Sequence, residues 1–172
     1  MIGVLIFLLI PFGVVIYYSL IDNPIGKNFV GLENFEKLMK NDAFLQATGN
    51  TLFFSLVAVP LVVILSLGLA LLLDMNIPWK SQFRTFFLSP MMVPVASVVL
   101  IWQVIFNYHG AMNELLTVFG FTGVDWLKSK YSMVVVISMF LWKNLGYNMI
   151  LFMSALGSIP KDIIEVAQLE AA

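Results

Sequence analysis

The sequence predicts an all-α, polytopic membrane protein: four transmembrane helices, then a short amphipathic helix after the last of them. Three observations predict it. Of the 172 residues, 60% are hydrophobic and only 11% are charged, against about 25% charged in an ordinary soluble domain. The acidic residues, ten in number, all fall outside four long apolar stretches. Each stretch reaches the roughly 20 residues that a helix needs to cross about 30 Å of hydrocarbon.

The first span covers about 1–21 and carries no charge before Asp22. It lacks the basic leading region of a signal peptide and is uniformly apolar for too long, so it is read as a true span. The second, about 51–73, lies between Asp42 and Asp74. Pro60 near its middle is tolerable because neighbouring helices can satisfy the carbonyl it frees, and Ser66 and Ala70 give one small-xxx-small contact face. The third, about 85–106, follows Arg84 and carries Pro90 and Pro94 in "LSPMMVPVASVVLIW"; two prolines four apart predict a kinked or locally opened helix. The fourth, about 131–157, contains one charge, Lys143.

Asp74 to Arg84 is a short connection, whereas Asp22–Asn50 and Asn107–Lys130 are long enough for small interfacial helices. In the former, Leu32, Phe35, Leu38 and Met39 recur at helical spacing beside Glu33, Glu36, Lys37 and Lys40, the pattern of a helix resting on membrane lipid. Orientation stays open on charge alone. With the amino terminus inside, Lys80, Arg84 and Lys161 lie inside and Lys27, Lys37, Lys40, Lys128 and Lys130 outside, yet the short loop holding Lys80 and Arg84 is the one the positive-inside rule weights most.

Composition removes several function classes. The net charge of −1 points to no nucleic-acid partner. With no cysteine and a single histidine there is no thiolate or two-histidine metal motif, and no metal or cofactor is expected. No GxxxxGK[ST] occurs, so any ATP must be bound and hydrolysed by a partner. Proton- and sodium-coupled transporters commonly keep a carboxylate inside the membrane; its absence from the spans weighs against the alternative reading, an ion-coupled secondary transporter or channel subunit. An intramembrane enzyme would need a catalytic pair that the spans do not contain.

The densest polar cluster is in the fourth span, "LWKNLGYNMILFMSALGSIP". Lys143 sits near its middle, where a lysine costs roughly 2.5–3.5 kcal/mol on a translocon scale, and either snorkels or pairs with a second subunit. Trp142, Asn144, Tyr147 and Asn148 lie within two turns of it. Aromatic faces pack on a sugar ring while amides and hydroxyls bond its hydroxyl groups, so these four are the candidate substrate-pathway residues for a neutral polar solute. The alternative is that Asn144 and Asn148, four apart, bond neighbouring helices. His109 reads as a loop residue, and Met91, Met92, Met149 and Met153 as packing residues.

The last segment, about 160–172, starts with Pro160 in the first turn of a new helix and carries Asp162 and Glu165 near its positive end. Ile163, Ile164, Ala167 and Ala171 gather on one side, a small-residue face suited to another protein.

These residues resemble a known family. "EVAQLEAA" (Glu165–Ala172) is similar to the EAA signature of permease subunits of ATP-binding-cassette importers, and "IPKDIIE" resembles the lead-in of their carbohydrate-uptake branch. "FRTFFLSPMMVPVASVVLIWQVIFNYHGAMNELL" and "FVGLENFEKLM" resemble further segments of that branch, in family order. The resemblance implies that residues 1–172 form a single transmembrane permease domain, C-terminally truncated, with the terminal segment as a cytoplasmic coupling helix. It makes Glu165, Val166, Ala167, Glu170 and Ala171 the ATPase-coupling residues. Val166, Glu170 and Ala171 stand where the signature has alanine, aspartate and glycine, and losing the glycine alters the docking turn most. The implied partners are ATPase subunits, a second permease subunit and an extracellular or periplasmic solute-binding protein. The implied cargo is a sugar or polyol, in a bacterial or archaeal cytoplasmic membrane, with Lys80 and Arg84 on the cytoplasmic side.

Overall fold

A computed structural model describes residues 2–75 and 77–160. The coupling residues Glu165, Val166, Ala167, Glu170 and Ala171 lie outside the described residues. Those described are helical, with no β-strand among them beyond one isolated antiparallel bridge, Ile21 with Phe29. Two helices among them are long and apolar enough to cross a membrane, and a bent pair makes a third if taken as one span. Contacts divide the chain into two compact units, 1–53 and 54–172, each taken by itself below.

The first unit opens with α1 (Ile2–Val4), a π-helical turn (Leu5–Leu9) and α2 (Ile10–Ser19). Pro11 explains the wide turn. It has no N–H to give the carbonyl four residues back and its ring crowds that carbonyl, so the chain widens and the Ile10 N–H reaches back five residues to Leu5 O. The apolar helix Leu5–Ser19 is shorter than the two long ones, so the expected first span, 1–21, is met only in part.

A polar turn follows. Asp22 Oδ1 accepts from the backbone N–H groups of Asn23 (2.6 Å) and Asn28 (3.0 Å), and Oδ2 accepts from the Asn28 amide at 3.1 Å. That side-chain bond, helped by the backbone ones, holds the Asp22 carboxyl below the usual carboxylate range although the group is fully exposed. Asn34 then donates to Ser19 O and Ile21 O at 3.0 and 2.8 Å, tying α3 (Glu33–Met39) to the end of α2. A helix forms within the stretch where a small interfacial one is expected. Its polar side carries the i,i+4 pairs Glu33–Lys37 (2.8 Å) and Glu36–Lys40 (2.5 Å), each worth a few tenths of a kcal/mol.

α4 (Asp42–Asp74) is capped by Asn41, whose Oδ1 accepts from Phe44 N–H at 3.1 Å. The helix contains the second expected span but starts nine residues earlier. Asp42, Gln46, Thr48 and Asn50 look like loop by hydropathy, yet none is a helix breaker, and Thr48 and Thr51 bond back to carbonyls four residues earlier.

In the second unit α4 buries one stripe, Ala58, Val62, Ser66, Ala70 and Leu73, which contains both small residues expected to form a contact face. The Ser66 hydroxyl is satisfied inside its own helix by Val62 O. Ala70 and Leu73 pack with Met149 and Met153 of α8 (Ser132–Gly157), and Phe87 of α5 (Lys80–Met92) and Ile77 join them. Phe54 meets Phe140 edge-on at 5.2 Å. The third expected span is two helices, α5 and α6 (Val95–Ile105), bent by 97° at Val93–Pro94.

The stretch after α6 is held by one buried amide. Asn113, in α7 (Ala111–Val118), is 4% exposed. It donates to Tyr108 O and Val124 O at 2.8 Å each and accepts from Val124 N–H (3.1 Å) and Trp126 Nε1–H (2.9 Å). α7 closes with Gly120 at φ +80, Phe121 N–H reaching Leu116 O and Gly120 N–H reaching Thr117 O, the Schellman pattern that a residue with φ > 0 permits.

Candidate functional site

The polar stretch of α8 meets the broken helix pair, and proline chemistry decides how. A helical residue 94 would give its N–H to Pro90 O, but Pro94 has none. The residue before a proline is driven to extended backbone, and Val93 (φ −77, ψ 128) and Pro94 (φ −55, ψ 137) are both extended. Two consecutive extended residues turn the chain and strand the carbonyls at the end of α5. Lys143 collects them: its Nζ lies 2.7 Å from Val93 O, 3.4 Å from Pro90 O and 3.5 Å from Met91 O.

The approach of α5 to α8 that allows this depends on Gly146. A Cβ there would lie 1.8 Å from Phe87 O and 2.3 Å from Phe87 C, so only glycine lets the two backbones come this close. The contact sits one turn from Lys143 on the same helix.

Beside the break lies a cleft of about 600 Å³, lined by Met91, Met92, Val93, Pro94 and Val95 on one side and Lys143, Asn144 and Tyr147 on the other. Asn144 Nδ2 donates to Phe140 O at 2.8 Å and Asn148 Nδ2 to Asn144 O at 2.9 Å. Among the described residues both asparagines therefore bond back along their own helix, not across to a neighbour. Trp142 faces elsewhere. It lines an apolar cleft of about 380 Å³ with Val98, Ile101, Trp102, Ile105, Phe106 and Met112.

The four candidate pathway residues thus separate: Asn144 and Tyr147 share the polar cleft, Asn148 is half-buried below Asn144, and Trp142 joins an aromatic row. In that row Trp142 and Trp102 are 6.3 Å apart, Trp102 stacks on Phe106 at 5.1 Å, and Phe106 meets Trp126 edge-on at 5.8 Å. His109 is exposed on the turn before α7, its ring edge-on to Tyr108 at 5.2 Å. Met149 and Met153 are core residues as expected, whereas Met91 and Met92 are exposed at the break. Sequence reasoning missed the roles of Gly146 and Asn113. The one available signal was Gly146 lying three residues after the lone charge of the fourth expected span.

No protein-family profile matches the chain. Individual relatives do. The chain is 32% identical over 171 residues to the sn-glycerol-3-phosphate transport system permease protein UgpA of Pectobacterium atrosepticum, covering 97% of this chain and 58% of that protein. It is 33% identical over 143 residues to the xylose/arabinose import permease protein XacH of Haloferax volcanii, covering 82% and 45%. Over most of its length the chain is thus similar to permease proteins of sugar and sn-glycerol-3-phosphate uptake systems. A permease of a bacterial ABC transporter for the acidic polysaccharide alginate has the same fold, with a TM-score of 0.83, 23% identity, and coverage of 99% of this chain and 59% of that one. That transporter has also been solved in complex with an alginate pentasaccharide-bound periplasmic protein. The chain spans about half the length of the curated relatives it matches.

Proposed function

We propose that the chain forms the membrane-spanning part of an importer permease that conducts a sugar, polyol or related polar solute across a bacterial or archaeal cytoplasmic membrane. The observation that carries this reading is the polar face of α8 opening onto the break between α5 and α6. A wide cleft there brings an amide and a phenol, Asn144 and Tyr147, beside exposed backbone, and a few fixed polar groups in a mostly apolar cleft suit a hydroxyl-rich solute. Asn148 supports Asn144 from the same helix, and Trp142 supplies an aromatic surface on the adjoining cleft. In this reading the apolar run to Ser19 is the first of four spans and α5–α6 the third, a broken span whose irregular backbone borders a solute cavity.

ATP hydrolysis belongs to a separate ATPase docked on the segment containing Glu165, Val166, Ala167, Glu170 and Ala171. A second permease subunit completes the pathway and an external solute-binding protein delivers the cargo. ATP can bias the permease only through a difference in contact between its two facing states, and the docked segment is where that difference enters. A Glu165→Lys change tests the coupling: membrane insertion should persist while co-purification of the ATPase and ATP-dependent uptake are lost. Unchanged co-purification and uptake would remove the coupling role.

A further inference from the structure

The geometry points to Lys143 as the residue that holds the α5–α6 break in its bent form, a positioning residue for the solute cleft. Three features of the structure converge on this. The acceptors are the carbonyls that proline chemistry and the bend deprive of their helical partners: Pro94 cannot give Pro90 O an N–H, and the 97° bend carries the start of α6 away from Met91 O and Val93 O. Among the described residues the backbone replacement at Pro90 O is the Val93 N–H, at 3.3 Å. Lys143 then supplies three donors for three carbonyls, at 2.7, 3.4 and 3.5 Å, and an ammonium has three N–H bonds to give.

The second feature is charge. The carbonyl end of a helix carries about half a negative charge, so the end of α5 answers the ammonium without a carboxylate. Among the described residues the ion pairs are Glu33–Lys37 and Glu36–Lys40, neither involving Lys143. A lysine at mid-span is thereby accommodated by backbone instead of by snorkelling to the surface.

The third is place. Met91, Val93 and Lys143 all line the cleft that also holds Asn144 and Tyr147. With its donors committed to backbone, the ammonium acts on a solute through the wall it fixes and not through its own hydrogen bonds. Straightening or loosening the break would move Met91–Val95 relative to Asn144 and Tyr147. The functional consequence, though not the clamp itself, rests on the permease reading above.

The experiment is a distance measurement across the break in the full-length permease with its partner subunits. The chain has no native cysteine, so spin labels at Phe83 and Val104, both exposed positions on α5 and α6, report the bend by pulsed electron resonance. The wild type should give one narrow distance. Lys143→Met should broaden or lengthen it and lower uptake about tenfold or more, the scale of losing a charge-assisted bond, while Lys143→Arg keeps the narrow distance. Pro94→Ala restores an N–H for Pro90 O, so Pro94→Ala with Lys143→Met should narrow the distribution again or, if Lys143→Met alone fails to accumulate, restore accumulation. An unchanged narrow distance in Lys143→Met overturns the clamp. So does a loss of uptake with the bend intact and a raised KM, which would put Lys143 on the solute. So does a double variant no better than the single one. Should wild-type complexes transport no solute at all, the permease reading fails while the distance result still decides the clamp.

Discussion

Two proline sites in this chain have opposite outcomes. Pro60 lies inside α4, and the helix runs on from Asp42 to Asp74 without interruption. Pro90 and Pro94 lie on α5 and at the start of α6, and there the chain turns by 97°. The difference lies in what surrounds the lost hydrogen bonds. Pro60 removes one donor on a face directed away from the buried stripe of Ala58, Val62 and Ser66, and flanking turns keep the helix whole. At the second site Val93 and Pro94 both leave helical backbone, and a lysine from α8 gathers the carbonyls that result. Proline spacing alone weakens a helix; a break held in one geometry also requires a donor from outside the helix.

The change expected to damage the second site most is at Gly146, because a side chain there collides with the backbone of α5 and would part it from α8. Gly146→Val should cost about 3 kcal/mol of stability, the upper range for overpacking. Gly68→Ala, where nothing lies within 4 Å of the added methyl, should be neutral. Thermal unfolding of the two variants in detergent checks the contrast, and equal melting would show that the close approach is not made.

Asn113 comes next. Replacing it with leucine leaves the N–H of Val124, the indole N–H of Trp126 and two carbonyls without their buried partner, a loss of about 2 kcal/mol. Limited proteolysis between 107 and 131, with Trp126 fluorescence as a second signal, should show the stretch loosening while α4 and α8 stay protected.

The proline comparison itself is sharpened by Pro60→Ala. Residue 60 gains a helical N–H, and stability should rise by about 1 kcal/mol, the restored bond less the unfolded-state entropy that proline had removed. Pro94→Ala alone should gain less, since Lys143 already serves the Pro90 carbonyl. A larger gain at Pro94 than at Pro60 would mean that the break is strain and not a supported geometry.

The smallest effect lies in the first unit. The Asp22 carboxyl is held below its ordinary range by the Asn28 side chain, so its ionised form favours the folded turn. That contribution is present above the unfolded pKa of about 3.9 and is lost as pH falls through the lower folded value. Full exposure makes it slight. Amide exchange at Asn28 should quicken only below about pH 4, and Asp22→Asn should flatten the dependence.

How much could be read from sequence follows the same physics. Apolar length gave the core of α4 and nearly the whole of α8, expected over 131–157 and found as Ser132–Gly157. The proline pair announced the opening between α5 and α6, and the spacing of Phe35, Leu38 and Met39 announced α3. What escaped depends on the partner across a contact. Hydropathy cannot see that Gly146 faces the Phe87 carbonyl, that Lys143 reaches Val93, or that Asn113 gathers Tyr108, Val124 and Trp126. It also mistook Asp42–Asn50 for loop, since polar residues without a breaker continue a helix as readily as apolar ones. The grouping of Trp142 with Asn144 and Tyr147 rested on closeness in sequence, whereas a helix turns adjacent residues about 100° apart and sends Trp142 to the other cleft.

The most direct test is uptake into proteoliposomes holding the full-length protein, with the proposed ATPase inside and the proposed binding protein outside. Uptake of a sugar or polyol that requires internal ATP, ignores proton and sodium gradients, and falls in Tyr147→Ala and Asn144→Ala is the predicted result. Flux that follows an ion gradient with the ATPase absent, and is untouched by either substitution, would contradict it.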